Sequence, residues 1–396
     1  MLLPLTSLLL ALAAQTGATP EAPHSNAATL GFRVEAAPDW DDLFDQQSGG
    51  WTGADGIFSF PLNGDERNLG YRHTGTFFVF SDTFTANVRA DNSRASLNIV
   101  HNTAAYRPAG DPWTQPVNFF TARDPQDGTP IDMFPPSLPG AAPNDWYWMK
   151  DGIILNDRAY LLASWWAIHP LFIAQRKGVV MVEIPYGDLP PFPNQIQRDT
   201  PLYVPDNGNG YNIVYGGAIM PNTQTAGAPH ADGYIYIYGH SDSFAGDGFN
   251  KAVFVARVNE AGFGDFNQWR YWDGISWSTN VEDSFPITDL SSLECSVTPL
   301  ADGRYLMVFQ YRQTKEWVAV RIGASPIGPW SAATKIYECP EPTTIPGTFC
   351  YNAKAHPHLS QAGELLISYN VNTSNNADQK ANADIYRPRF IRLIAQ

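Results

Sequence analysis

The chain has 396 residues, enough for a large core, and all-β folds of this length often form a single domain. Its 39 acidic and 25 basic residues give a net charge of -14, which argues against nucleic-acid binding because phosphate contacts need clustered Lys and Arg. Aromatic residues make up 13% and charged residues 16%, which with 32 Gly and 32 Pro suits short strands and tight turns. An acidic surface rich in Trp and Tyr suits a neutral sugar polymer.

The N-terminus has the pattern of a secretory signal peptide. Residues 1–14 are apolar and uncharged, and small and polar residues follow, so we place the end of the signal near residue 20. The run is too short to span a membrane, and no later segment is apolar enough. We therefore expect a secreted protein without a membrane anchor, in which residues 30–396 form one domain and a monomer.

Three cysteines are present, and their surroundings differ. Cys339 and Cys350 bracket a loop-like stretch and would be able to close a small disulfide in an oxidising compartment. Cys295 lies in an apolar strand, which predicts a buried free thiol. No zinc-binding spacing occurs, so we expect neither a metal nor an organic cofactor.

An internal repeat predicts the fold. Each unit has a short apolar strand with a polar or small residue at its entry, then a turn, then a strand rich in aromatic and branched residues. Five such units can be aligned, at residues 54–82, 150–165, 216–240, 294–311 and 355–370. Three or four strands per unit, repeated in this way, indicate an all-β, five-bladed β-propeller. A β-sandwich with coincidental hairpins is the alternative.

Further strands complete the predicted blades. Third strands follow each unit at residues 97–106, 178–184, 252–258, 317–322 and 389–394. The chain ends within the last of these, so another segment must supply the outer strand of the fifth blade. Residues 31–36 precede the first unit, and we expect this N-terminal strand to close the ring and cover the open edge.

Propeller geometry brings the ends of these strands together around a central channel. Innermost strands start at one face, and their antiparallel neighbours end at that face. The predicted strand starts are Asp55, Asp151, Gly216, Glu294 and His356. The predicted strand ends are Asp82, Trp165, His240, Tyr311 and Asn370.

Asp55 and Asp82 are the leading catalytic candidates. They lie on neighbouring strands of one blade, and adjacent strands are roughly 4.8 Å apart, so their carboxyl groups would be about 5 to 6 Å apart. That separation suits a retaining glycosidase, in which one carboxylate attacks the sugar and the other protonates the leaving oxygen. The structural alternative is that Asp55 belongs to an Asp-Gly turn and Asp82 caps a strand end.

Glu294 lies across the predicted funnel, between two apolar neighbours. It is a third catalytic candidate, which would pair with Asp55 in an inverting mechanism. Lining positions and aromatic faces that can stack on sugars give eight substrate-binding candidates. They are Trp51, His101, Asn102, Asp151, Trp165, His240, Lys354 and His356. His356 and His358 are expected to alternate on one strand, with only His356 facing the channel.

Several runs make the chain resemble two families. Gly53-Ala54-Asp55-Gly56 and Phe80-Ser81-Asp82-Thr83 resemble the start of domains of unknown function 4185 and 5005. Three later runs look closest to the 5005 type and extend the resemblance over about residues 30–396. They are Glu294-Cys295-Ser296-Val297-Thr298, Tyr351-Asn352-Ala353-Lys354-Ala355-His356-Pro357 and Ile385-Tyr386-Arg387-Pro388-Arg389-Phe390.

The resemblance implies a fold and an activity. The 4185 type includes glycoside hydrolase family 183, whose members are retaining endo-D-arabinanases with a five-bladed propeller. The resemblance implies Asp55 and Asp82 as the catalytic pair. The longer connection between the two Asp elements here departs from that family. We therefore expect a secreted glycoside hydrolase acting on a furanoside-containing polysaccharide or oligosaccharide such as arabinan. The alternative of a different class is a non-catalytic glycan-binding propeller.

Overall fold

The computed structural model describes residues 30–70, 74–111, 113–169, 174–243 and 249–396. The predicted signal peptide lies outside these ranges. Strands dominate from β1 (Phe32–Ala36) onward, which confirms the predicted all-β class. The α-helices found here are α1 (Pro38–Leu43), α2 (Glu341–Thr344) and α3 (Asn376–Ala381). No helix of the described ranges is long and apolar enough to cross a membrane.

Sheet I, which contains the two aspartate elements, follows α1. Its strands, in spatial order, are β2 (Phe58–Pro61), β3 (Thr76–Phe80), β6 (Thr103–Arg107) and β7 (Asn118–Phe120). Two short ladders flank it: β4 (Thr83–Phe84) pairs with β5 (Ile99–Val100), and β8 (Ala122–Arg123) pairs with β9 (Pro130–Ile131). β3 is buried along its whole length, because both faces of its aromatic run are covered.

Sheets II and III occupy the middle of the chain. Sheet II has the order β10 (Trp146–Leu155), β11 (Arg158–Ala167), β12 (Gln175–Pro185) and β13 (Ile196–Asp199). Sheet III is larger, with the order β14 (Tyr203–Val204), β15 (Tyr211–Asn222), β16 (Tyr234–Ser243), β17 (Lys251–Asn259), β18 (Arg270–Trp272) and β19 (Trp277–Ser278). Strand β20 (Thr288–Ser291) also pairs with β17.

Sheets IV and V follow in sequence. Sheet IV has the order β21 (Cys295–Pro299), β22 (Tyr305–Gln310), β23 (Trp317–Gly323) and β24 (Thr334–Glu338). Sheet V contains β25 (Thr348–Ala355), β26 (Glu364–Thr373) and β27 (Pro388–Ala395). Its outermost strand is β1, which runs antiparallel to β27 with Phe32 opposite Ala395.

The hydrophobic core is divided among the spaces between sheets. Clusters of buried apolar side chains join sheet I to II, II to III, III to IV, IV to V and V to I. Each sheet therefore packs against two others through its two faces, and no single central core holds the molecule together. This is a propeller-like arrangement, in which the innermost strands surround a channel.

Three innermost strands are longer than the sequence pattern predicted. β10, β15 and β25 each contain a bulge, between Met149 and Gly152, Tyr215 and Ala218, and Tyr351 and Lys354. A bulge adds an unpaired residue and re-aims nearby side chains. The predicted strand starts at Asp151, Gly216 and His356 are therefore wrong: the first two residues lie inside bulges, and His356 follows the end of β25.

The cysteines form no disulfide in this structure. Cys295, Cys339 and Cys350 are all buried free thiols, so the pairing of Cys339 with Cys350 that the spacing allowed is not formed. The prediction of a buried free thiol at Cys295 is confirmed. Cys339 and Cys350 both pack in the core between sheets IV and V.

Candidate active site

Asp55 and Asp82 lie directly opposite each other at one end of sheet I. Ala54 pairs with Thr83 in the register that aligns Phe58 with Val79, and the backbone N–H of Asp55 donates to the carbonyl oxygen of Asp82 at 3.2 Å. Directly opposite residues of an antiparallel pair project their side chains from the same face, with Cβ atoms about 4.5–5.5 Å apart. The pairing therefore puts two carboxyl groups side by side.

A glycine makes the turn at Asp55 possible. Gly56 has φ of +62°, and a Cβ there would lie 2.8 Å from Oγ of Ser81. Any other residue would be strained in this left-handed conformation and would push against the neighbouring strand. The Asp-Gly pair therefore forms a turn, which is the structural alternative that the motif predicted. The same turn also directs Asp55 towards the channel.

Asp55 sits in an environment that favours its protonated form. The hydroxyls of Tyr351 and Tyr386 both donate to its Oδ2 at 3.0 Å. Burial, followed by the charges of Asp82 and Glu294, raises the pKa of Asp55 to about 8, against the opposing effect of the two tyrosine hydrogen bonds. A carboxyl group that holds its proton near neutral pH can act as a general acid.

Asp82 is surrounded by hydrogen-bond donors instead. Its Oδ1 accepts from Nδ1 of His101 and from Nε1 of Trp148, both at 2.8 Å. Burial lowers the pKa of His101, but the hydrogen bond and charge of Asp82, with a contribution from Asp132, outweigh it and leave that pKa raised. Two donors on one oxygen hold the Asp82 side chain in a fixed orientation.

Glu294 completes the group of acids, and its carboxylate is paired. It immediately precedes β21, and its Oε2 lies 2.5 Å from Nζ of Lys354. Its Oε1 accepts from Nδ2 of Asn352 at 2.9 Å. Asn352 lies in the bulge of β25 with φ of +60°, so the bulge delivers both partners of Glu294. We call Asp55, Asp82 and Glu294 the acid cluster.

Comparison with known proteins places the chain in a family. Residues 38–395 match the model of the family described as Domain of unknown function (DUF5005). The chain belongs to the DUF5005 family. The family confirms the 5005 part of the resemblance drawn from the sequence. No match to the DUF5005 chain was found among curated proteins.

Solved structures share the fold of the DUF5005 chain at low sequence identity. A protein of Bacteroides ovatus ATCC 8483 described as a proposed hydrolase is 21% identical, with a TM-score of 0.68 over 95% of this chain and 97% of that one. A family 117 glycoside hydrolase of Zobellia galactanivorans is 10% identical, with a TM-score of 0.50 over 94% of this chain and 92% of that one. At these sequence identities the similarity is one of fold alone.

Lys354 and His101, two of the predicted substrate-binding residues, contact the acid cluster. Lys354 is buried, pairs with Glu294 and lies with Nζ 4.5 Å from the centre of the Phe58 ring. His101 bonds Asp82 and stacks on Trp146 with ring centres 5.0 Å apart. Whether either contacts a substrate stays a prediction.

Three other predicted residues are occupied by structural contacts. Trp51 is buried in the core between sheets V and I and stacks on Phe119 with ring centres 4.3 Å apart. Nε1 of Trp165 donates to Oδ2 of Asp145 at 2.9 Å within the core between sheets I and II. Asn102 is fully buried, and its amide bonds backbone groups of Phe134 and Tyr147. Neither Trp51 nor Trp165 presents an exposed ring, and the buried Nε1 of Trp51 has no hydrogen-bond partner among the residues that the structure describes.

His356 and His358 do not alternate on a strand. A 3₁₀ helix spans Pro357–Leu359, and His356 immediately precedes it. Nδ1 of His356 lies 2.7 Å from Oγ of Ser59 and Nε2 lies 2.8 Å from Oγ of Ser368. Both ring nitrogens are therefore used to tie sheet V to sheet I.

A cavity of about 420 Å³ lies along the channel and reaches Lys354, the partner of Glu294. Inner strands of all five sheets line it, and its lining includes Ser59, Asp151, Ile219, Val297 and Ala355, but none of the three acids. Asp151 accepts from the backbone N–H groups of Gly152 at 2.9 Å and Ile219 at 2.6 Å, which links sheets II and III. His240, the remaining predicted residue, is buried in β16.

Tyr351, Tyr386 and Trp148 bond the candidate acids Asp55 and Asp82, and the sequence did not identify them as partners. The first two lie within runs that carried the resemblance, which was the available signal. Tyr386 has φ of +82°, and the adjoining backbone is held by Arg94, whose guanidinium donates to the carbonyl oxygens of Ile385 and Ala383 at 2.9 and 3.0 Å. A buried arginine thus fixes a hydroxyl that bonds Asp55.

Proposed function

We propose that the DUF5005 chain is a secreted glycoside hydrolase built on a five-bladed propeller. The five apolar clusters, each between consecutive sheets, support a ring of five blades with sheet III as the enlarged one. The pairing of β1 with β27 supports closure of that ring by the N-terminal strand. Closure of this kind joins the two ends of the domain and protects the edge of β27.

One observation carries the proposed activity: Asp55, with a pKa raised to about 8, stands opposite Asp82, which is held by two donors. Glycosidases need one protonated and one ionised carboxyl group flanking the scissile bond. The neighbouring-strand arrangement suits the shorter separation of a retaining enzyme, about 5–5.5 Å. The glycoside hydrolase among the structures of like fold is consistent with carbohydrate chemistry here.

The proposed retaining reaction has two steps. Asp55 protonates the glycosidic oxygen while a carboxylate oxygen of Asp82 attacks the anomeric carbon, so the glycosidic bond breaks and a glycosyl ester forms. Asp55, now ionised, then takes a proton from a water molecule. The water oxygen attacks the anomeric carbon and releases Asp82. His101 and Trp148 fix the orientation of Asp82 throughout.

Arabinan is the first candidate substrate, within the wider class of furanoside-containing glycans. This part of the proposal rests on the resemblance to the family of endo-D-arabinanases. An inverting reaction that pairs Asp55 with Glu294 would place the acids further apart and leave a product of opposite anomeric configuration. The salt bridge from Lys354 to Glu294 favours a binding or electrostatic role for that acid instead.

The test is to incubate the protein with D-arabinan, L-arabinan and fructans, and to identify products by size and by anomeric configuration. We expect release of oligosaccharides with retained configuration, and a loss of about 10²–10⁴-fold in kcat/KM for Asp82→Asn. Asp127→Asn is the matched control, because it makes the same change in an exposed turn.

Other outcomes identify the alternatives. Full activity of Asp82→Asn would refute the assignment of this residue. Inverted products would point to Asp55 with Glu294. Binding of one glycan without release of any product would establish a glycan-binding propeller in place of an enzyme.

A further inference from the structure

Basic side chains gather beside the acid cluster, at sheets II and III. We call Lys150, Arg176, His240 and Lys251 the basic cluster; all four are buried or nearly so. Lys150 lies in the bulge of β10, and His240 lies in β16 opposite Val214. The chain as a whole carries a net charge of -14, so this group of basic residues contrasts with the acidic character of the chain.

Two members of the basic cluster are paired with one acid. Nη1 of Arg176 lies 2.5 Å from Oδ2 of Asp242, and Nζ of Lys251 lies 3.3 Å from Oδ1 of the same residue. Burial acts against ionisation of Asp242, but the charges of Arg176 and Lys251 hold its pKa well below the usual range. Among the residues that the structure describes, these three groups leave one positive charge uncompensated.

Lys150 adds a second uncompensated charge. Its side chain is only 6% exposed, and in the described part of the chain its ammonium group has neither a hydrogen-bond partner nor an ion pair. The nearest acids in electrostatic range, Glu294 and Asp242, are already paired with Lys354 and with Arg176. A buried ammonium group without a partner is costly, which favours a role for Lys150 in holding an anionic group.

His240 is unpartnered in the same place. Its side chain is 2% exposed, and neither ring nitrogen has a hydrogen-bond partner among the residues that the structure describes. Burial, followed by the charge of Lys150, lowers its pKa well below the usual value. The neutral ring offers one N–H donor and one acceptor.

Two closely packed glycines lie beside both side chains. Gly216 and Gly217 form the bulge of β15, and a Cβ on Gly216 would lie 2.9 Å from Cδ1 of Leu162 and 3.4 Å from Cδ of Lys150. A Cβ on Gly217 would lie 3.8 Å from Nδ1 of His240. Lys150 and His240 thus approach the same pair of glycines from two sides.

Aromatic contacts connect this region to Asp82. The guanidinium of Arg176 lies over the ring of Trp166 at 4.4 Å, and Trp166 contacts Trp148 with ring centres 4.9 Å apart. Trp148 in turn donates to Asp82. A glycan at the acid cluster would therefore have the basic cluster next to it.

We propose that Lys150 and His240 form a subsite for an oxyanion carried by the glycan, the carboxylate of a uronosyl residue or a sulfate ester. Lys150 supplies the charge and His240 a neutral N–H donor. A neutral sugar hydroxyl would leave the ammonium charge uncompensated, whereas an oxyanion neutralises it. The inference rests on the proposed function in taking the ligand to be a glycan, and it narrows the expected arabinan to an acid-bearing furanoside glycan.

The test is equilibrium binding to the full chain. The probes are galacturonate and glucuronate, each beside its methyl ester, and galactose 6-sulfate beside galactose, titrated by calorimetry or ligand-observed NMR. We expect at least one acid to bind about tenfold or more tightly than its neutral counterpart, which corresponds to ~1.4 kcal/mol. The carboxylate and sulfate arms show which oxyanion is preferred.

Two variants assign the preference to the site. Lys150→Met should reduce the affinity for the acid to that of the neutral probe, and His240→Asn should reduce it less. Lys315→Met is the matched control, since it removes the same charge from an exposed turn and should retain the preference. Melting temperatures and affinity for the neutral probe report whether each variant is folded.

A pH series on the unchanged protein provides a second readout. Burial, followed by the charge of Arg176, lowers the pKa of Lys150 to about 8, while Glu294, Asp242 and Cys295 act in the opposite direction. The other ionisable groups near it are His240, Asp151 and Lys354. Between pH 7 and pH 9 the ammonium loses its proton, so binding of the acid should weaken while binding of the ester stays constant.

Three results would overturn the subsite. The first is equal affinity for acids and neutral probes, including the absence of binding by either. The second is an acid preference that survives Lys150→Met or is constant from pH 7 to pH 9. The third is binding of inorganic sulfate without any preference among the sugars, which would mean an adventitious ion only. Hydrolysis of neutral glycans is measured separately, so either proposal can fail without the other.

Discussion

Asp55 and Asp151 are both carboxyl groups whose pKa is raised by burial, to about 8 and about 7, yet their surroundings differ. Asp55 faces two further acids and two tyrosine hydroxyls. Asp151 gives both of its oxygens to backbone N–H groups, and these bonds lower its pKa against the effect of burial. A raised pKa marks a candidate site, but the contacts decide whether the acid is available for chemistry or committed to the fold.

Substitution of Asp55 should have the largest effect on activity. Asp55→Asn removes the proton donor, and we expect kcat/KM to fall by about 10²–10⁴-fold. The melting temperature of Asp55→Asn at pH 8 should equal or exceed that of the wild type. In the folded wild type Asp55 keeps its proton at pH values at which the unfolded chain has already released it. The stability of the wild type therefore falls as pH rises from the ordinary pKa of Asp towards about 8, and the variant lacks this loss.

Activity and thermal denaturation measured on the same preparation check this prediction. A variant that loses activity together with a large fall in melting temperature would show that Asp55 supports the fold, as Asp151 does. Asp127→Asn again serves as the control for the chemical change.

Substitution of Asp151 should have the opposite profile. Asp151→Asn places an amide NH₂ against one of the two backbone N–H groups that donate to Asp151. One of these two hydrogen bonds is therefore lost, and we expect a destabilisation of about 1–3 kcal/mol. Since Asp151 lines the cavity and not the acid cluster, kcat/KM measured below the melting transition should change less than for Asp55→Asn. Chemical denaturation at pH 7 checks the first part, and a loss of activity in fully folded protein would contradict the second.

The sequence predicted the placement of Asp55 better than that of Asp151, and the reason lies in the residues that each one contacts. Asp55 and Asp82 could be matched because a two-strand repeat of one sheet places them opposite each other. The bulge of β10, which takes Asp151 away from the strand start, leaves no composition signal in a run that reads as a continuous strand. The same limit applies to His356, whose two serine partners lie in different sheets.

The basic cluster was hidden for a related reason. Lys150, His240 and Arg176 are basic residues in three separate strands of a chain with net negative charge, and composition therefore favoured a neutral sugar. Only the bulges and the Gly216-Gly217 pair bring Lys150 and His240 together. Pairing patterns identify strands and neighbours well, whereas side chains aimed by bulges need the three-dimensional structure.

The smallest expected effect concerns the tyrosines, whose hydrogen bonds distinguish Asp55 from Asp151. The hydrogen bond from Tyr351 lowers the pKa of Asp55, so Tyr351→Phe should raise that pKa further. The groups that face Asp55 are Asp82, Glu294, Tyr351 and Tyr386, and the titration belongs to this coupled set. The protonated form is the active one in the proposed reaction, so activity declines as pH rises through about 8, and in Tyr351→Phe that decline should move to higher pH.

The pH dependence of kcat/KM on the alkaline side measures this shift, with Tyr186→Phe as the matched control because Tyr186 is 83% exposed. We expect the control to superimpose on the wild type and Tyr351→Phe to shift upward by about one unit or less, since one hydrogen bond of ~1 kcal/mol corresponds to under one pKa unit. A kcat/KM that rises with pH through about 8, instead of declining, would mean that Asp55 acts in its ionised form. In that case Asp55 would be the base or nucleophile, and the roles of Asp55 and Asp82 would have to be exchanged.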